Sequence, residues 1–285
     1  MIYIKKRKII MELSKIAKVL RMLVIIHCAF LGAISYSAEG NWVDLAVHNF
    51  GAPINTMWAQ GELSFSGDGT MVYCSARQDM AVASGDPKDL YIATFNSDTG
   101  SWNTPINMGI PINAAPATSA DPLRLGDDRE PWITADGNTI YFKSDRTATT
   151  SPRNNNDLFI TKKVNGEWTT PTLVGFPIST NVGDEHCPAI LQDGKTLCFA
   201  SKREGGFGGS DIYCSVQDVH GDWMIPVNQG LNINTAAEEF HFTQDKNGMA
   251  YFRLAAPAVL VGWIYGELCN KESMPGMRPT ILGRR

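Results

Sequence analysis

One phrase of four parts recurs along this chain, and it constrains the fold more than any other feature. An aspartate-glycine turn comes first, reading Gly67-Asp68-Gly69-Thr70, Asp136-Gly137-Asn138-Thr139, Asp193-Gly194-Lys195-Thr196 and Asp245-Lys246-Asn247-Gly248. Such pairs suit tight turns because Gly takes positive φ at little steric cost and Asp bonds its own backbone. An apolar stretch follows each turn: MVYCSAR (71–77), TIYFKSDR (139–146), TLCFASKR (196–203) and MAYFR (249–253). A third stretch opens Asp89-Leu90-Tyr91, Asp157-Leu158-Phe159, Asp211-Ile212-Tyr213 and Trp263-Ile264-Tyr265, and a fourth is expected to open at Trp42, Trp102, Trp168 and Trp223. These segments are too short for stable helices and are bounded by turn signals, so they predict strands. The turn aspartates are 68, 57 and 52 residues apart. A period of this size points to stacked or radially arranged units, with the drift absorbed in loops.

The most regular copy runs from Asp184 to Pro226 and predicts a four-stranded antiparallel meander. Its Glu204–Ser210 stretch holds four glycines and reads as a loop, with Asp211 placed to accept backbone N–H bonds from it. DGKTLCFASKREGGFGGSDIY followed by GDWMIPVNQGLNINT resembles the WD-like β-propeller repeat of the TolB type, also found beside OmpA-like domains. The resemblance covers about residues 42–266. It implies an all-β propeller of four-stranded antiparallel blades in the envelope or secreted space, and leaves function open because one fold hosts many. The chain enters on a fourth-strand sequence at Trp42 and ends near a third strand at Trp263-Ile264-Tyr265. Pairing of these two would close a four-bladed ring and remove exposed edges; the alternative is an open or truncated arc.

Seven basic residues precede and enter an apolar run from Met22 to Ile34, with small residues at Ser35, Ser37 and Ala38. That is the pattern of a secretory signal peptide over 1–38, too short in its apolar part to span a bilayer. A propeller domain is expected over 39–270 and an irregular tail over 271–285. Without 1–38 the chain carries 18 Lys and Arg against 28 Asp and Glu, a net charge of −10, which disfavours nucleic acid as a partner. Five cysteines remain, Cys74, Cys187, Cys198, Cys214 and Cys269. Cys74, Cys198 and Cys214 occupy strand positions filled elsewhere by Phe142, Tyr141 and Ile160, which favours small buried apolar side chains, with a Cys198–Cys214 cross-strand disulfide as the alternative.

Three blades carry an acidic pair where the first strand begins: Asp127-Asp128, Asp184-Glu185 and Glu238-Glu239, with Ala59-Gln60 in the first blade. Equivalent positions in a propeller form a ring, so these carboxylates could bind a hard cation such as Ca²⁺, or pair structurally with Arg77, Arg146 and Arg203. Asp128, Glu185 and Glu239 are the candidate general acid and base residues of a carbohydrate-active enzyme. Trp58, Trp132 and Phe207 are contact candidates, whereas the four repeated tryptophans are expected to pack between blades. No nucleophile elbow, zinc-protease, P-loop or dinucleotide motif occurs, and the histidines are scattered. The expectation is therefore a periplasmic or extracellular propeller that binds an envelope protein or glycan without chemistry of its own. A glycoside hydrolase-like enzyme is the alternative.

Overall fold

The computed structural model describes residues 34–36, 42–44, 49–76, 88–114, 126–146, 156–180, 183–244 and 250–255. Every regular element among them is a strand. The chain divides into two compact units, Met1–Asn55 and Thr56–Arg285. In the first, Ile34–Tyr36 pairs antiparallel with Trp42–Asp44. A short turn then follows in which the Asn55 amide donates to the Gly51 carbonyl at 2.8 Å.

The second unit is a succession of antiparallel meanders. The first blade orders Gln60–Phe65, Met71–Ala76, Lys88–Ala93 and Ile106–Asn107 side by side. The second uses Asp128–Ile133, Thr139–Ser144, Asp157–Val164 and Thr172–Leu173; the third uses His186–Ile190, Thr196–Ser201, Asp211–Val216 and Val227–Asn228. In the fourth, Glu238–Gln244 pairs with Ala250–Ala255. The aspartate turns behave as their chemistry dictates. Asp68 Oδ1 accepts the Thr70 amide at 3.0 Å, Asp136 Oδ1 the Asn138 amide at 3.1 Å, and Asp193 Oδ1 the Lys195 and Thr196 amides at 2.9 Å each. Asp211 caps its glycine loop as expected, accepting from the amides of Phe207 and Gly208 at 2.7 and 3.2 Å.

The tryptophans required a correction. Trp102 and Trp168 lie in two-residue hairpin extensions, Ser101–Trp102 and Glu167–Trp168, and Trp223 makes an isolated bridge to Gln217. The fourth strands begin a few residues later, at Ile106, Thr172 and Val227. Trp168 and Trp223 still pack against cores between blades, whereas Trp102 meets Phe65 and Phe95 of its own blade at 6.1 and 5.4 Å between ring centroids.

Each blade buries one face against the next. Val72, Cys74, Leu90 and Ile112 of the first meet Ile133, Ile140, Phe142 and Phe159 of the second. Tyr141, Leu158 and Ile178 meet Leu197, Phe199 and Tyr213 of the third. Ile212, Ile233 and the Cys198–Cys214 pair meet Phe242, Ala250 and Phe252 of the fourth. Burying each such large side chain contributes roughly 1.5 to 3 kcal/mol, and the strands are apolar on both faces because both faces are covered. This is the blade-on-blade packing of a β-propeller. Cys198 and Cys214 are directly opposite in the register and are joined by a disulfide, so the alternative pairing holds there. Cys74 and Cys187 are free and buried.

A second local device repeats between blades. Gly109-Ile110-Pro111-Ile112-Asn113, Gly175-Phe176-Pro177-Ile178-Ser179 and Gly230-Leu231-Asn232-Ile233-Asn234 each connect a fourth strand to the next blade. In each, the fifth residue's amide bonds back to the glycine carbonyl at 2.8 to 2.9 Å, the turn also made by Gly51 to Asn55. Asn113 and Asn234 bond both backbone groups of Leu90 and Ile212, and Ser179 accepts from the Leu158 amide. Residues 1–33, Arg77, Asp245, the expected closing strand Trp263-Ile264-Tyr265, Cys269 and the 271–285 tail lie outside the described residues, and ring closure with them.

Candidate functional site

The first strand of every blade breaks register near its start. Pairing shifts between Gly61 and Leu63, across Glu130-Pro131, across Cys187-Pro188 and across His241-Phe242, so that two residues face one partner. A bulge of this kind bends the strand and re-aims a side chain. In three blades the bulged residue is non-glycine yet left-handed: Glu130, Cys187 and His241 have φ of 54°, 52° and 54°. Left-handed backbone costs a side-chain-bearing residue about 1 kcal/mol or more, and three blades carry that cost at the same position.

These bulges turn their residues into one cavity of about 260 Å³, lined by Glu62, Glu130, His186, Cys187 and His241 with Lys143, Asn156, Asp184, Lys202, Glu238, Phe240 and Arg253. The Cys187 amide donates to Glu130 Oε2 at 2.6 Å. Cys187 Sγ lies 3.5 Å from His186 Nδ1 and 3.8 Å from His241 Nε2, and His186 Nδ1 is 3.8 Å from Glu130 Oε2. The far nitrogen of His186 is tied to Ser210 Oγ at 3.0 Å, which fixes the ring. Glu62 accepts the Cys74 thiol at 2.8 Å. Lys202 lies between Asp184 at 3.3 Å and Glu238 at 3.9 Å.

Charge follows from this packing. Burial works against the Glu130 carboxylate, yet Lys143, His186, His241 and the Cys187 amide outweigh it and hold its pKa below the ordinary value. Burial pulls His186 down, with Glu130 and Asp184 opposing. Burial first, and the Glu130 carboxylate second, push the Cys187 thiol well up. Asp184 is half-buried, which works against its carboxylate, but Asn156, His186 and Lys202 outweigh this and bring it below its ordinary value.

The acidic pairs divide between two roles. Asp128, Glu185 and Glu239 are fully buried and do not line the cavity. Asp128 accepts from the Ala114 amide and from Arg146, at 2.6 and 2.7 Å. Glu185 is bonded by Thr180, Ser201 and Arg203, and Glu239 by the Thr235 amide and hydroxyl. Burial raises Asp128 and Glu185 despite their arginines, and lowers Arg203 despite Glu185. Among the described residues none of the three lines the cavity, and each is held by the backbone and side-chain partners named above. Of the first members, Asp127 accepts the Lys88 amide and pairs with Arg129, while Asp184 and Glu238 line the cavity. Among the described residues no three of the six carboxylates form a group of converging ligands. Glu130, His186 and Cys187 do, with one donor atom each within 4.8 Å of the others.

The contact candidates also separate. Phe207 is 45% exposed on its loop, Trp58 is partly exposed, and Trp132 packs against the core between the second and third blades. Sequence reasoning missed Glu62, Glu130, Cys187 and His241, which all stand two residues after the second position of the acidic pair or its first-blade equivalent. Counting two residues further would have aligned them.

Comparison with protein-family models and with curated proteins finds no match. Among solved structures the chain is similar to TolB from Acinetobacter baumannii at 11% identity and TM-score 0.40, covering 69% of this chain and 40% of that one. It is similar to the periplasmic gluconolactonase PpgL of Pseudomonas aeruginosa at 11% identity and TM-score 0.41, over 82% and 66% of the two chains. It is also similar to Trypanosoma rangeli sialidase at 12% identity and TM-score 0.42, over 81% and 38%. The chain thus spans less than two thirds of each of these, and at such distances the likeness says nothing about activity.

Proposed function

We propose that this chain is an exported propeller of TolB-type repeats that binds a protein partner in the cell envelope, at the end of the blades where the axial cavity opens. Antiparallel meanders bring the second-to-third-strand loops, the connectors between blades and the starts of the first strands to one end. The observation that carries the reading is at that end. Ile110, Phe176 and Leu231, the same position in three successive connectors, are 72%, 85% and 72% exposed. Scattered apolar residues on a surface are ordinary, but a large apolar side chain repeated at one exposed place suits docking. Phe207 projects from a loop at the same end. The Cys198–Cys214 disulfide and the expected leader support an oxidising, exported location, and no helix among the described residues is long and apolar enough to cross a membrane.

The test is capture from an envelope extract by the wild-type chain and by the triple variant Ile110→Asp, Phe176→Asp, Leu231→Asp. Exposed changes of this kind should leave Tm within a few degrees. The expected result is a discrete protein captured by the wild type and lost with the variant. Equal capture by both would reject this surface, and binding to glycans in place of protein would reject the partner class.

A further inference from the structure

The same cavity carries a second and more specific feature. Glu130, His186 and Cys187 bring a carboxylate oxygen, an imidazole nitrogen and a thiol sulfur within 4.8 Å of one another, and His241 lines the same cavity beside the thiol. Zinc sits about 2.3 Å from thiolate sulfur and about 2.05 Å from nitrogen, so a tetrahedral site needs a sulfur-to-nitrogen edge of about 3.5 Å and a nitrogen-to-oxygen edge of about 3.4 Å. Cys187 Sγ is 3.5 Å from His186 Nδ1 and 3.8 Å from His241 Nε2, and His186 Nδ1 is 3.8 Å from Glu130 Oε2. These three edges are those of a zinc-type shell or a few tenths of an ångström wider. We infer that Glu130, His186 and Cys187 form the three-donor core of a site for a divalent transition metal ion of the zinc type, with His241 beside the thiol to support or complete it.

Three further observations support it. The ring of His186 is held at its other nitrogen by Ser210 Oγ at 3.0 Å, the outer-shell hydrogen bond that orients metal-binding histidines. Glu130, Cys187 and His241 lie on the first strands of successive blades, and all adopt left-handed backbone that their side chains do not favour, which aims all three side chains into the one cavity. The donor set also discriminates between metals. A thiol and two imidazoles suit zinc, cobalt or copper, whereas calcium and magnesium take oxygen ligands throughout. Binding replaces the thiol proton of Cys187, which leaves to solvent as the sulfur-metal bond forms.

The inference shares the cavity of the proposed binding end but stands apart from the partner: capture that survives chelator would leave that reading intact whatever the metal does. The experiment uses the full chain with its Cys198–Cys214 bridge formed and its remaining thiols reduced, stripped by chelator and titrated with Co²⁺. The expected result is one equivalent bound, with thiolate-to-cobalt charge-transfer absorption and tetrahedral ligand-field bands, all displaced by Zn²⁺. Cys187→Ser should abolish the charge-transfer band, and Cys74→Ser should keep it. His241→Asn should weaken binding by about tenfold or more, in line with the sensitivity of metal sites to loss of supporting groups. Because Asn tolerates left-handed backbone, that variant keeps its Tm and serves if Cys187→Ser fails to fold. Absence of the band at micromolar Co²⁺ overturns the inference, as does a band of equal strength in Cys187→Ser or unchanged affinity in His241→Asn.

Discussion

At the scale of single residues, the backbone at Glu130, Cys187 and His241 sets folding against site geometry. A prediction isolates the backbone term at His241, whose φ is 54°. His241→Ala and His241→Asn both remove the imidazole, but alanine keeps the steric cost of a Cβ in the left-handed region while asparagine is at home there. The alanine variant should be less stable by about 1 kcal/mol in denaturant melts, and equal stability would show that no strain resides at this position. The turn aspartates offer a second test. Hydrogen bonds from Ser66 and Thr70 lower the pKa of Asp68, and those from Thr134 and Asn138 lower that of Asp136. Burial opposes the shift at Asp193, but Thr196 and Lys195 outweigh it and lower it too. A carboxylate with a folded pKa below its unfolded one stabilises the fold above the unfolded value, near 3.8 here, and loses that contribution as pH falls through the folded value. Through these groups Tm should therefore not vary with pH near neutrality and should fall below about pH 4. In an Asp68→Asn, Asp136→Asn, Asp193→Asn variant that acid limb should be shallower.

At the scale of elements, the arginines after the second strands of the second and third blades act as latches. Arg146 bonds Ser144, Asp128 and the carbonyls of Pro111 and Ile112, and lies 5.1 and 5.2 Å over the rings of Phe142 and Phe159. Arg203 repeats this with Ser201, Glu185, the carbonyls of Pro177 and Ile178, and the rings of Phe199 and Tyr213. Removing one partner leaves the other charge buried, so Arg203→Met should cost roughly 3 kcal/mol, and adding Glu185→Leu should restore part of it. A double variant no more stable than Arg203→Met alone would refute the ion pair as the source. Reducing the Cys198–Cys214 bridge, which closes a loop of 16 residues, should cost about 3 kcal/mol. Thermal melts with and without reductant measure it, with Cys198→Ala/Cys214→Ala as the reference that should not respond. The aspartate turns were legible in the sequence because their hydrogen bonds span only two or three residues. The tryptophans were misplaced because a two-residue hairpin extension looks, in one dimension, like the start of the next strand. The bulges were marked only in part, by Pro131 and Pro188 inside two of the strands; Glu130, Cys187 and His241 share neither size nor charge, so their kinship shows in cross-strand register. Buried Cys198 and Cys214 could equally have been two thiols until their opposition in the register was known.

At the scale of the whole molecule, the repeat sorts its residues by depth. The first strands deliver donors to the axis, the middle strands bury aromatic and aliphatic side chains between sheets, and the connectors show Ile110, Phe176 and Leu231 to solvent. The Gly-rich loop of the third blade also touches the fourth. The Gly209 amide bonds the Ala237 carbonyl at 2.8 Å, and a Cβ on Gly208 would collide with the carbonyls of Thr235 and Ala237. Gly208→Ala should therefore destabilise the fourth blade first, seen as faster amide exchange over Glu238–Gln244 than over His186–Ile190. The arginine latch has a directional consequence. Arg146 and Arg203 bond carbonyls that precede them in the chain by 35 and 26 residues, so the hydrogen-bonded part of each latch draws on segments already made, while the rings of Phe159 and Tyr213 arrive later. A polypeptide emerging amino end first can thus fasten its second and third sheets to the connectors behind them before the following sheet is complete, so that the stack grows by accretion.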